Sequence, residues 1–163
     1  MSDIGRVHHT GLTVSNLSAS IRFYCDLLGC TVAMTQEKQG GYLAAIVGYP
    51  DASVKMAHLK APSGDLVIEL FEYDAPETAR VHLEPRLIGN AHLCFLVPDL
   101  AATHERLVQA GIDFLSPPIR IDTGANSGGW GVYLHDPDGI TLELFQPAPQ
   151  SNAFSSIVVA SEI

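Results

Sequence analysis

Four residues of this chain, His9, Glu69, His92 and Glu143, are of types that bind metal ions or move protons, and they recur in matched surroundings. His9 opens the run His9-Thr-Gly-Leu-Thr-Val-Ser-Asn-Leu17, and His92 opens His92-Leu-Cys-Phe-Leu-Val-Pro-Asp-Leu100. Each run passes from His through a strand-like segment to Val, then to a helix-capping Asn16 or Asp99 followed by Leu. Glu69 is the centre of Ile68-Glu69-Leu70, and Glu143 of Leu142-Glu143-Leu144. The histidines are offset by 92 − 9 = 83 and the glutamates by 143 − 69 = 74, so one supersecondary unit is used twice, a few residues shorter inside the second copy.

Strand alternation sorts the side chains onto two faces. Leu12 and Val14 point toward the helix that follows, with His9, Gly11 and Thr13 opposite; Leu93, Phe95 and Val97 do so in the second copy, with His92, Cys94 and Leu96 opposite. Glu69 lies between Val67 and Phe71, and Glu143 between Thr141 and Phe145, on the face away from their neighbours Ile68 and Leu70, and Leu142 and Leu144. A mid-strand carboxylate among apolar neighbours, buried without a partner, costs on the order of several kcal/mol. One divalent cation shared by both glutamates and both histidines removes that cost, and two imidazoles with two carboxylates suit Zn, Ni, Co, Mn or Fe. A lone strand His is usually satisfied by a hydrogen bond, and a lone strand Glu usually faces water; the joint pattern is what points to metal. His8 points to the other face, and a one-residue slip would exchange it with His9.

The elements that must position these residues follow a βαβββ order in each copy. First strands are predicted at 7–14 and 91–97. In the first helix Leu17, Ile21, Tyr24 and Leu28 form one apolar stripe, ended by Gly29. In the second, Leu100 and Leu107 hold the stripe, His104 replaces Ile21 as a partly solvated histidine, and Gly111 ends it. Further strands are predicted at 31–36, 41–48, 54–60 and 65–72, one of them irregular, and at 113–121, 130–135 and 140–146. Asp136-Pro-Asp-Gly139 is a turn, with Ala61-Pro-Ser-Gly64 as its counterpart. The fold expected is therefore α+β, two tandem βαβββ modules forming a curved mixed sheet around a metal site. The first module spans 5–75, a connector 76–89, the second module 90–147, and a C-terminal arm or tail 148–163. A one-sided sheet in each module makes a homodimer expected.

Composition narrows the partners. The 163 residues are 47% hydrophobic, too apolar for disorder, and 18 acidic against 9 basic residues give a net charge of −9. That charge argues against nucleic acid and anionic membrane surfaces. Cys25, Cys30 and Cys94 have no zinc-type spacing and read as free thiols that fill the core. With no apolar signal region over Met1–Arg6 and no run of membrane-spanning length, the expected location is the cytoplasm.

Over roughly residues 5–147 the chain resembles the vicinal oxygen chelate superfamily, which includes glyoxalase I, methylmalonyl-CoA epimerase, extradiol dioxygenases and bleomycin-resistance proteins. The resemblance is carried by His9-Thr-Gly-Leu-Thr-Val, Ser20-Ile-Arg-Phe-Tyr-Cys-Asp-Leu-Leu-Gly29, Val67-Ile-Glu-Leu70, Ala91-His92-Leu93 and Asp136-Pro-Asp-Gly-Ile-Thr-Leu-Glu-Leu144. It implies a His/Glu/His/Glu metal set as in glyoxalase I, here His9, Glu69, His92 and Glu143. The epimerase pattern has Gln where this chain has Glu69, and its early-strand base carboxylate aligns with Ala44, beside Ala45; Glu37 takes that role only in a different register. No basic cluster marks a glutathione site: Arg22 falls on the predicted helix and Arg86 in the connector.

The function expected is proton transfer next to the carbonyl of a small oxygenated metabolite, a carbonyl or diol compound, by a glyoxalase-like lyase, isomerase or epimerase. One divalent ion would act as Lewis acid, with Glu143, Glu69 or a metal-bound hydroxide as base. Tyr42, Phe95, Trp130 and Tyr133 are candidates for the pocket wall or for plain core packing, and Gly124–Gly131 for a loop over the cavity or a simple hairpin turn. Two alternatives stand. One is an Fe(II) ring-cleaving dioxygenase using His9, His92 and Glu143, against which Glu69 fills a fourth position. The other is a non-catalytic drug-binding protein, against which the intact metal positions argue.

Overall fold

The structure is a computed structural model and describes residues 3, 5–62 and 66–149. The described part of the chain divides into two compact units, one of residues 1–82 with 136–138, the other of residues 83–135 with the residues from 139 onward. Each is built on a four-stranded mixed sheet with few helices, an α+β arrangement.

In the first unit β1 (His9–Thr13) leads into α1 (Leu17–Arg22), whose last turn widens into a π-helical turn, Phe23–Leu27. Then come β2 (Thr31–Gln39), α2 (Gly41–Val47), β3 (Ser53–Lys60) and β4 (Val67–Ala75). The sheet order is β1-β4-β3-β2, with β1 and β4 parallel and the other pairs antiparallel. In the second unit β5 (His92–Leu96), α3 (Leu100–Gln109), β6 (Ile119–Arg120), β7 (Trp130–His135) and β8 (Thr141–Gln146) repeat the plan, in the order β5-β8-β7-β6.

The repeat extends to the helix caps. Asn16 accepts from Ala19 N at 2.8 Å and Asp99 from Ala102 N at 2.9 Å, each satisfying a free N–H of a first helical turn. A side chain from the last strand of each sheet adds a second cap: Glu72 accepts from Leu17 N, and Gln146 from Leu100 N at 2.7 Å. Gly29, at φ +78°, ends the first helix with Cys30 N donating to Tyr24 O at 3.0 Å, the left-handed closure that glycine permits. The helix-side face of each sheet is the core. Leu59, Ile68 and Leu70 in the first and Leu134, Leu142 and Leu144 in the second are buried, as are Tyr24 of the first helix and Leu100 and Leu107 of α3. Each such side chain contributes about 1.5–3 kcal/mol.

Three expectations are corrected. Residues 41–48 are not a strand: Gly41–Val47 is α2, closed by Gly48 at φ +78°. Its Leu43-Ala-Ala-Ile-Val47 run reads as strand or helix from hydrophobicity alone, and Leu and Ala favour the helix. Leu43 and Val47, one turn apart, pack on Val54, Met56, Phe71 and Tyr73. Residues 113–121 are not one strand either. Phe114 makes an isolated bridge to Leu134, and pairing resumes only at β6, because Pro117 and Pro118 lack the N–H a ladder needs. Finally, Cys94 is exposed, on the Glu143 side of its sheet, while Cys30 is buried and Cys25 half-buried.

The Asp136–Gly139 turn forms as expected, with Gly139 at φ +86°. Asp136 accepts from Asp138 N at 2.9 Å and from the buried Tyr24 hydroxyl at 3.1 Å. Gly124–Gly131 closes as a hydrogen-bonded hairpin connection, Gly128 N donating to Ile121 O at 2.8 Å and Ile121 N to Gly129 O at 2.9 Å. Of the expected turn at 61–64, Ser63 and Gly64 lie outside the described residues, as does the expected C-terminal arm beyond Pro149. No helix among the described residues is long and apolar enough to cross a membrane.

Candidate functional site

Strand pairing fixes where each candidate residue lies. In β1 and β4 the parallel register sets Glu69 opposite Gly11, two residues after His9. In β5 and β8 it sets Glu143 opposite Cys94, two residues after His92. The same step in the same ladder produces the same pair: His9 Nε2 stands 3.3 Å from Glu69 Oε2, and His92 Nε2 stands 3.1 Å from Glu143 Oε2. Both carboxylates are largely withdrawn from water, Glu69 with 12% and Glu143 with 23% of the side chain exposed. The ion-pair partners the two glutamates have among the described residues are histidines.

The third neighbour differs between the units. Across β3 and β4, His58 is register partner to Glu69, and its Nε2 lies 3.4 Å from Glu69 Oε1. Across β7 and β8, Tyr133 is register partner to Glu143, and its ring lies 5.2 Å from that of His92. Sequence reasoning missed His58. The alternation of Val54, Met56 and His58 against the buried Ala57 and Leu59 was the signal that could have found it.

Around Glu143 the electrostatics favour protonated neighbours. Cys94 is exposed as a residue, but its thiol sits among packed atoms beside Glu143; that partial burial first, then the Glu143 charge and a hydrogen bond to it, push the thiol up to about 12. Burial, and then the Glu143 charge, also raise the Tyr133 hydroxyl. On the other side, His8 Nδ1 meets His9 Nδ1 at 2.9 Å. One of the two nitrogens must carry the proton of that contact.

The remaining pocket candidates separate by strand parity. Tyr133 shares the Glu143 side of the second sheet. Phe95 and Trp130 share the side of Val132, Leu134, Leu142 and Leu144, against the helix. Tyr42 is on α2 and 62% exposed, with Lys38 Nζ 5.9 Å from its ring centroid. Ala44 is a buried α2 residue, and Glu37 is an exposed β2 residue opposite Lys55.

Each His–Glu pair fits half of a divalent site. Two donors, each about 2.0–2.2 Å from one ion and at tetrahedral to right angles, lie about 3–3.5 Å apart, the separation seen in both pairs. The imidazole-plus-carboxylate donor set suits Zn, Ni, Co, Mn or Fe. Among the described residues no three His, Cys, Asp or Glu side chains form a group that could hold an ion. Each unit thus offers two donors in place.

Comparison with known proteins places the chain in a family. Residues 6–144 match the family model of the Glyoxalase/Bleomycin resistance protein/Dioxygenase superfamily. The chain is 33% identical over 143 residues to a 2-epi-5-epi-valiolone epimerase of Actinomyces, covering 85% of this chain and 77% of that protein. It is 31% identical over 147 residues to a lactoylglutathione lyase of Salmonella typhimurium, covering 86% of this chain and 92% of that protein. A glyoxalase family protein from Bacillus cereus superposes with a TM-score of 0.78 over 90% of this chain and 97% of that one, at 20% identity, and so shares the fold. With its duplicated four-stranded sheets and its family match over most of its length, the chain belongs to the glyoxalase/bleomycin resistance/dioxygenase superfamily.

Proposed function

We propose that this protein is a metal-dependent enzyme that transfers a proton at the carbon next to a carbonyl of a small oxygenated metabolite, as a lyase, isomerase or epimerase. In this reading His9, Glu69, His92 and Glu143 hold one divalent ion, Ni, Co, Zn, Mn or Fe, and the working form is a homodimer. The observation that carries it is the duplicated His–Glu pair at ligand spacing, on carboxylates whose recorded ion-pair partners are histidines. When bound, the ion supplies Lewis-acid polarisation of the substrate carbonyl, which acidifies the adjacent C–H.

The two glutamates then divide the work. Glu69 has a histidine within 3.4 Å of each of its oxygens, so its role is to complete the ligand set. Glu143 has one histidine and opens onto a cavity, so it is the better placed base: its carboxylate takes the proton from the substrate carbon and returns it. The Tyr133 hydroxyl, held protonated beside it, is a donor available to a substrate oxygen.

The test is elemental analysis of protein purified without chelator, followed by turnover of 2-oxo thioesters, hemithioacetals and hydroxy ketones in deuterated water. Near one divalent ion per chain, and deuterium at the carbon next to the carbonyl, are expected. Oxygen uptake matching turnover of a catechol would assign the dioxygenase chemistry instead.

A further inference from the structure

Between β2 and β3 the first unit carries an element without a counterpart in the second. The β2–β3 ladder is paired as far as Gln39 and Ser53, Gly40 N donates to Ala52 O at 2.8 Å to close the stem, and α2 stands on that stem. Among the described residues, the matching connection between β6 and β7 contains no helix. Strand parity puts α2 on the side of its sheet that bears the metal candidates. Val54 pairs with Tyr73, Met56 with Phe71 and His58 with Glu69, so the rows under α2 share one face with His58 and Glu69. Val54 and Met56, beneath Leu43 and Val47, are 1% and 4% exposed, whereas the His58 side chain in the next row is 25% exposed.

Little holds this helix in place. It is seven residues long, too short to be stable by itself. Its N-cap Gly40 has no side chain to bond the first turn, and the first helical bond, from Ala44 N to Gly40 O, is stretched to 3.5 Å. Its anchors on the sheet are Leu43 and Val47, while Tyr42 and Ile46 on the outer side are exposed. Glycines stand at both ends: Gly40 and Gly41 at φ +59° and +64°, and Gly48 at φ +78°. A Cβ at any of the three would meet nothing within 4 Å, so these positions need the backbone conformation and not the room. A short, uncapped element between glycine joints, held by two side chains, belongs to the low-stability end of a fold, from which moving parts are drawn.

We propose that α2 is a hinged flap over the Glu69 face of the first sheet, turning as a unit about Gly40–Gly41 and Gly48 while β2, β3 and β4 stay paired. Closed, Leu43 and Val47 seal the Met56–Phe71 row next to Glu69 and keep water from that flank of the carboxylate. Open, the same row becomes an extension of the face that carries Glu69 and widens the approach to it. The motion follows from the fold alone; its use as a gate on the metal site rests on the proposed function.

Native-state hydrogen exchange on the full-length protein reads the flap with no ligand present. Corrected for intrinsic rates, the amides of residues 44–48 should exchange at one common rate, at least about a hundredfold faster than those of β3. Leu43→Ala should speed them at least about tenfold further and leave β3 unchanged, whereas Tyr42→Ala, on the open side, should change them less than about threefold. Exchange of α2 in step with β3 in the unmodified protein, or a graded fraying with no common rate, overturns the flap. Cobalt(II)-loaded protein with acetohydroxamate, an oxygen-chelating probe, reads the gate: α2 exchange should slow at least about tenfold when the probe binds. Unchanged α2 exchange with the probe on cobalt overturns the gating role. Failure to take up cobalt counts against the four-residue metal site instead, and exchange in the free protein then decides the flap.

Discussion

His58 stands directly across the β3–β4 ladder from Glu69, with its Nε2 3.4 Å from the carboxylate oxygen that His9 does not face. The two histidines thus grip Glu69 from opposite sides, and His58 leaves Oε2 turned toward His9. Partners that orient a ligating carboxylate typically change metal affinity about 10–100-fold when lost. His58→Ala should therefore weaken metal binding by about that factor in a chelator-competition titration. His58→Gln, which keeps a donor at the same place, should restore most of it. Unchanged affinity in His58→Ala would show that β1 alone positions Glu69.

Metal should also stabilise the fold, because ligands assembled in the native state are dispersed in the unfolded one. At a free metal concentration 100 times Kd the gain is about 2.7 kcal/mol. The protein should melt several degrees lower in chelator, and recover on addition of the metal. His92→Ala or Glu143→Ala should remove most of this response. A melting temperature indifferent to chelator in metal-loaded protein would count against the four-residue site.

Alkaline pH should expose the Tyr24–Asp136 contact. Tyr24 is buried, and burial first, then the neighbouring Asp136 charge and hydrogen bond, raise its hydroxyl far above the ordinary tyrosine value of 10.0. The folded chain therefore keeps a proton that the unfolded chain gives up above pH 10, and stability falls as pH rises beyond that point. For one group the slope is about 1.4 kcal/mol per pH unit. Tyr24→Phe should flatten that limb in denaturant titrations, at a cost of about 1 kcal/mol at neutral pH for the lost hydrogen bond. Equal slopes for the two proteins above pH 10 would rule the contact out as the source.

The repeat was legible because chemistry and capping recur together. His9 and His92, Asn16 and Asp99, and Glu69 and Glu143 announce it in one dimension. The cap bonds from Glu72 to Leu17 and from Gln146 to Leu100 keep the same two offsets, 100 − 17 = 83 and 146 − 72 = 74. What stayed hidden depends on cross-strand pairing. Nothing local in Ala57-His58-Leu59 says that His58 lies opposite Glu69; only the β3–β4 register does. Phe95 and Trp130 are candidates in the sequence for either a pocket wall or core packing, and only parity turns both to the helix side. α2 escaped because a five-residue apolar run fits either period, and Pro117-Pro118 broke a strand whose hydrophobic pattern continued on both sides.

Gly129 makes a local prediction of another kind. A Cβ there would lie 2.8 Å from Gln146 O and 3.0 Å from Asn126 O, both backbone atoms that cannot step aside. Gly129→Ala should cost about 1–3 kcal/mol, the range for overpacking, read as a lower denaturation midpoint. At Gly131 a Cβ would sit 3.6 Å from Glu143 Oε1, an ordinary contact, so Gly131→Ala should fold normally. Equal midpoints for the two variants would mean that the hairpin connection yields to the added methyl.

The division of labour between the glutamates is tested by conservative replacement of each. Glu143→Gln keeps an oxygen donor beside His92 but removes the basicity, so turnover should fall by at least ~10²-fold, the usual cost of losing a general base. Exchange of the substrate proton with deuterated water should fall in parallel, with metal content retained. Glu69→Gln removes a charge from a carboxylate flanked by His9 and His58, so metal affinity should fall first, and activity should return at high metal concentration. If Glu69 instead shuttles the proton, saturating metal will not restore Glu69→Gln, and its deuterium exchange will stay low. If the chemistry is ring cleavage by Fe(II), neither variant will show a deuterium effect, oxygen consumption will match turnover, and Glu69→Gln will be tolerated because it only lightens a crowded coordination position. An oxygen electrode and mass spectrometry of the product, run on the same three proteins, separate these outcomes.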